Sequence, residues 1–135
     1  MKKTLSKAEK EQLKADCETF RFWKGHKSNE AKEDGFQKRV AEYLDRLGYV
    51  WAHIPNEAKR SYALAKHLEK QGMKSGMPDV LIFDRLIAIE LKAGKNTPSQ
   101  NQIEWMKRLS SCGWKVAWVN SFDEFLSFLN ECYES

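Results

Sequence analysis

The stretch from Gly76 to Lys92 constrains this chain more than any other. Val80–Phe83 and Leu86–Leu91 are apolar on both faces, as in strands that are covered on both sides. Asp84-Arg85 between them reads as a two-residue hairpin turn, with Phe83 facing Leu86. Stepping outward pair by pair, Asp79 comes to face Glu90 on the same side of the hairpin. Residues so opposed have Cβ atoms about 4.5–5.5 Å apart, and like charges there repel. Something positive should offset them. Lys92 follows Glu90 by two residues and shares its face.

Two carboxylates with a lysine beside them at strand ends suit metal-dependent phosphodiester hydrolysis. Hard oxygen ligands hold Mg²⁺ or Mn²⁺, the ion activates water and neutralises phosphate charge, and a lysine positions the water or stabilises the transition state. An isolated Glu-x-Lys on a solvated strand end would mean little. The preceding Gly76-Met77-Pro78-Asp79 and the hairpin register give this one its weight.

The rest of the chain supplies a frame for that hairpin. Residues 4–22 read as a polar helix with a thin stripe of Leu5, Leu13, Cys17 and Phe20, suited to an arm or a partner-facing helix. A second helix, capped by Ser28 or Asn29, carries Phe36, Val40, Tyr43, Leu44 and Leu47 inward and stops at Gly48. Tyr49–Ile54 is a short strand ended by Pro55, and a short helix spans about Tyr62–Gln71. Residues 98–110 form a helix with Pro98 in its first turn, Lys115–Val119 a buried strand, and Phe122–Cys132 a closing helix. The order α-α-β-(α)-β-β-α-β-α is a mixed α/β sandwich, divided into a helical arm at 1–28 and a catalytic domain at 29–135.

Charge is uneven along this frame. Residues 1–75 hold 17 Lys/Arg against 11 Asp/Glu, and residues 76–135 hold 6 against 8. A basic first half beside an acidic second half fits a polyanion-binding surface next to an acidic site. No apolar run nears the roughly 18 residues of a membrane span, and no signal-peptide pattern opens the chain, so a cytoplasmic protein with no membrane partner is expected. Cys17, Cys112 and Cys132 form no metal-site spacing with His26, His53 and His67 and read as reduced thiols. His53 and His67 suit packing or solvent, and Trp105, Trp114 and Trp118 core or interface.

Gly76-Met77-Pro78-Asp79, then Glu90-Leu91-Lys92, then Gln102 on the following helix, resembles the motif order of PD-(D/E)XK nucleases, and more narrowly their VRR-NUC branch of stand-alone phage and bacterial type. The resemblance runs from about Glu30 to Ser121. It implies a restriction-endonuclease-like core, a mixed sheet of about four strands flanked by helices, here with an extra N-terminal helix. It implies a Mg²⁺-dependent DNA endonuclease, with Mn²⁺ substituting, selective for branched or junction-containing DNA and acting as a homodimer. Asp79, Glu90 and the Leu91 carbonyl would be metal ligands, Lys92 the catalytic lysine, and Gln102 a positioning group.

The family also carries a glutamate on the first core helix, often four residues before a glutamine. Glu33 with Gln37 supplies that pattern, while Asp34 and Glu42 remain alternatives; Gly35 stands where a stronger helix former is usual. Helical geometry favours Glu33, seven residues before Val40 and within about 20° of it, over Glu42, about 200° away. Asn56, Lys59, Arg60, Lys66, Lys70 and Lys74 form a basic segment suited to the DNA backbone. A catalytically silent DNA-binding module and an RNA-directed nuclease are the competing expectations.

Overall fold

The computed structural model describes residues 4–25, 29–55, 62–72 and 74–134, without the side chains of Glu33 and Ala65. Nine elements follow in the order α1 (Lys7–Phe20), α2 (Glu33–Arg46), β1 (Trp51–His53), α3 (Tyr62–Lys70), β2 (Val80–Ile82), β3 (Ile87–Leu91), α4 (Gln100–Ser111), β4 (Lys115–Val119) and α5 (Phe122–Glu134). The four strands make one mixed sheet in the order β1-β2-β3-β4. The first two pairings are antiparallel and β3-β4 is parallel. A parallel pair requires a crossover, and α4 supplies it.

Strand periodicity divides the sheet into two faces. Val80, Ile82, Ile87, Ile89, Leu91, Ala117 and Val119 point to one side and meet Phe36, Val40 and Leu44 of α2 and Phe125, Phe128 and Leu129 of α5. This is the main core. On the other side Trp118 meets Cys17 of α1 and Ile103 and Met106 of α4, with Leu13, Phe20 and Val116 packed around them. Leu13, Cys17 and Phe20 of the stripe are therefore covered by their own chain, which corrects the expectation of a partner-facing helix and removes the argument from α1 for a second copy. The Trp118 indole N–H donates to the Cys17 carbonyl at 2.7 Å and locks that packing.

Four local expectations change. The hairpin register holds, with Val80 opposite Ile89 and Ile82 opposite Ile87. The strands end sooner, however, and Phe83–Leu86 make a four-residue turn with Leu86 at φ 54°. The second helix is not capped by Asn29, whose side-chain amide donates to the Gly94 carbonyl at 3.3 Å; Lys32 occupies the cap without a side-chain bond. Leu47, expected to face inward, follows the end of α2 and is 54% exposed. Finally α4 starts after Ser99, not at Pro98.

The thiols are free, Cys112 exposed and the other two buried. Burial pushes the Cys132 thiol up to about 11, which keeps it protonated at neutral pH. No helix among the described residues is long and apolar enough to cross a membrane.

Candidate active site

Asp79 lies just before β2 and Glu90 is the penultimate residue of β3. The β2-β3 register, extended by one pair beyond Val80 and Ile89, sets the two opposite each other. Alternation sends both to the α1/α4 side of the sheet, together with Lys92. All three are buried, Asp79 at 7%, Glu90 at 1% and Lys92 at 9% exposed. Two carboxylates and an ammonium withdrawn from water together are costly unless they compensate one another or hold an ion.

The local chain explains how Asp79 is held. Its Oδ2 accepts from the Leu91 N–H at 2.8 Å, which ties the carboxylate to the end of β3. Its backbone carbonyl accepts from the Ile54 N–H at 2.8 Å and from His53 Nδ1 at 3.0 Å. His53 thus anchors the backbone of the aspartate, a role its position in sequence did not suggest. Lys92 is fixed at its backbone, whose N–H donates to the Val119 carbonyl at 2.9 Å. Burial raises the Cys17 thiol, and the Lys92 charge pulls in the opposite direction, so α1 adjoins this face.

Gly76 explains why the motif needs a glycine. Its φ is +89°, and a Cβ there would stand 2.9 Å from Asn101 Nδ2 and 3.0 Å from the Asn101 backbone carbon. The loop that delivers Asp79 is thereby pressed against the first turn of α4, where Asn101 Nδ2 also donates to Ser75 Oγ at 2.7 Å. Gly76→Ala is expected to cost about 1–3 kcal/mol through the left-handed backbone, with the steric clash added to it. Chemical denaturation of the two proteins measures this, and equal stability would contradict the close approach.

The α4 N-terminus shows a feature that was present in the sequence but unread. Ser99 and Gln102 form a capping box: Gln102 N–H donates to Ser99 Oγ at 3.2 Å and Ser99 N–H to Gln102 Oε1 at 2.9 Å. Gln102 is half-buried, and its carbonyl is occupied by the cap. Glu33 opens α2, its side chain outside the described residues; Glu42 is exposed. Gln37 is half-buried, and its Nε2 is buried with no hydrogen-bond partner among the described residues.

Glu30, which in sequence only marked where the family resemblance begins, joins the loops at this end of the sheet. Its backbone N–H donates to the Asn120 carbonyl and its carbonyl accepts from the Gly94 N–H. Its carboxylate accepts from the Phe122 N–H at 3.2 Å and pairs with Arg39. Asn120 follows the last residue of β4 and falls next to Lys92 when the parallel register is continued. It is 5% exposed, and its Oδ1 has no hydrogen-bond partner among the described residues.

Among the basic residues, Lys66, Lys70 and Lys74 are exposed, and Lys66 pairs with Glu69 at 3.4 Å. Lys74 shares a surface groove with Ser75, Asn101 and Arg108, beside the Gly76 loop. Asn56, Lys59 and Arg60 lie outside the described residues.

A model of the VRR-NUC domain matches residues 27–123. The chain belongs to the VRR-NUC family. A solved structure named "VRR_NUC domain protein" is similar at a TM-score of 0.62 and 23% identity, over 83% of this chain and 92% of that one. No curated protein matches. The mixed four-stranded sheet with flanking helices is therefore the VRR-NUC fold, consistent with a PD-(D/E)XK core, and the domain is of nuclease type. Helix α1 precedes the matched residues, so the VRR-NUC domain carries an additional helix packed on the site side of its sheet.

No group of three His, Cys, Asp or Glu side chains poised for a metal exists among the described residues. Mg²⁺, however, keeps several waters and is held by one or two carboxylates with substrate phosphate rather than by an all-protein cage. A buried, opposed Asp79–Glu90 pair fits that requirement.

Proposed function

We propose that this VRR-NUC protein is a Mg²⁺-dependent DNA endonuclease, with Mn²⁺ able to substitute, that hydrolyses phosphodiester bonds at the Asp79–Glu90–Lys92 site. The observation that carries this reading is the burial of two opposed carboxylates and a lysine on one face of the sheet. A catalytically silent DNA-binding domain would have no use for so costly a cluster.

Asp79 and Glu90 would hold the ion, with the Leu91 carbonyl and Glu33 completing the set. A bound Mg²⁺ would lower the pKa of a water and neutralise charge on the phosphate. Lys92 would hold that water in line and offset negative charge as it grows on the phosphoryl oxygens. The Leu91 N–H keeps one Asp79 oxygen fixed, which leaves the other for the ion. Gln102, its Oε1 held by the cap, would offer its Nε2 amide to the phosphate. Lys66, Lys70 and Lys74, with Asn56, Lys59 and Arg60, would contact the DNA backbone without reading bases.

Preference for branched DNA and action as a homodimer rest on the family resemblance. One site per chain cuts one strand, so cutting two strands of a junction calls for two copies. A panel of labelled flaps, four-way junctions, nicked and plain duplexes and RNA, incubated with Mg²⁺ or Mn²⁺, tests this reading. Cleavage of a branched DNA is the expected result; cleavage confined to RNA, or binding without cleavage of any substrate, would overturn it.

A further inference from the structure

We infer that the face of α1 bearing Lys10 and Lys14 is a contact surface for the phosphodiester backbone of the nucleic acid entering the site. This rests on the nuclease reading above and adds to it a surface outside the residues that match the family.

Lys10, Lys14 and Cys17 recur at i, i+4 and i+7 and so share one side of α1, and Arg21 follows as its extended C-cap residue. They line a groove of about 380 Å³ between α1 and the sheet, with Trp118 lining it as well. Trp118 is the direct β4 partner of Glu90 and lies on the same face of the sheet. One strand spacing therefore separates the residue that floors the groove from Glu90 of the candidate active site.

Its cations are not alike. Arg21 is held in place, 3.8 Å from Glu124 and stacked at 5.0 Å on the Trp118 ring. Lys10 and Lys14 are exposed, and neither makes an ion pair among the described residues. Glu18 is the single acid among the groove's described lining residues. The opposite flank of α1 has the reverse character, with Glu9 and Asp16 beside Glu104 and with Lys107 paired to Asp16 at 2.8 Å. One helix thus presents uncommitted ammonium groups along the Trp118 groove and carboxylates along its contact with α4. Such a division draws a polyanion to one side. A nucleic-acid backbone is the polyanion that the adjoining site would act on.

The test is the salt dependence of binding by the full chain to a labelled DNA duplex, in EDTA so that the duplex stays intact. Each lost phosphate contact flattens the slope of log K against log salt by about 0.9 on duplex DNA. Lys10→Gln with Lys14→Gln should flatten it by about 1.8, and Lys10→Arg with Lys14→Arg should restore it. Lys24→Gln with Lys38→Gln removes the same net charge from lysines paired with Glu131 and Asp34 and should leave the slope near wild type. Wild-type binding with an unchanged slope in the Lys10/Lys14 glutamine variant would overturn the α1 surface alone. An equal flattening in the Lys24/Lys38 variant would do the same, by reducing the effect to net charge. A wild-type chain that binds no DNA at any salt would overturn the nuclease reading as well.

Discussion

Asp79→Asn and Lys92→Ala are expected to fold, to bind DNA nearly as the wild type does, and to lose strand cleavage by several orders of magnitude. The asparagine keeps an oxygen able to accept from the Leu91 N–H, so the end of β3 retains its tie while the charge is lost. Lys92→Ala leaves the bond to Val119 intact, because that bond is made by the backbone. On the proposed reading one variant would remove a carboxylate that holds the ion and the other the cation that offsets charge on the phosphoryl oxygens, where such groups contribute most. Melting curves and anisotropy with labelled DNA report folding and binding, and gel-resolved cleavage reports turnover. Cutting at the wild-type rate by either variant would move the active site elsewhere.

Metal binding at the proposed site would supply the second large effect. Opposed carboxylates such as Asp79 and Glu90 repel each other across a hairpin, and a divalent ion held between them would relieve that repulsion in the folded chain only. Ligand linkage gives about 2.7 kcal/mol of added stability at a hundredfold excess over Kd, roughly 10 °C in melting midpoint for a chain of this length. Glu90→Gln should melt with little response to Mg²⁺ or Mn²⁺, because one of the two carboxylates is gone. It should also melt at or above the metal-free wild type, because the repulsion has gone with it. Equal metal-induced shifts in the two proteins would place the ion at another site.

The hairpin was legible because its signal is local. A two-residue turn at Asp84-Arg85 and the observed four-residue turn at Phe83–Leu86 have the same centre, so the opposition of Asp79 and Glu90 survives the difference. β4 was read to the residue because Val116, Trp118 and Val119 favour a strand and lie between a glycine-bounded helix end and a new helix. The role of α1 was not legible. Its stripe is narrow, and the residues that cover it, Ile103, Met106 and Trp118, lie more than eighty positions away. Nothing in periodicity announces such a contact.

The roles of Glu30 and His53, the latter expected only to pack or meet solvent, were not legible for the same reason. Each acts through backbone groups brought near only by the fold, at Gly94, Asn120 and Phe122 for one and at Asp79 for the other. Gln102 is a different case. Ser99-Gln100-Asn101-Gln102 carries the capping-box spacing openly, and placing Pro98 inside the helix concealed it. The Leu47 difference comes from continuing a periodic stripe one residue past Arg46, where α2 ends ahead of Gly48 at φ 76°.

The central claim, metal-dependent hydrolysis by Asp79, Glu90 and Lys92, is tested most directly by one titration. Cleavage of a labelled branched DNA is followed as Mg²⁺ is raised from a chelated baseline, for wild type and Asp79→Asn side by side. The account predicts no scission under chelation, a saturable rise in the wild type, and almost none in the variant. Scission that persists under chelation, or that rises equally in Asp79→Asn, would contradict it.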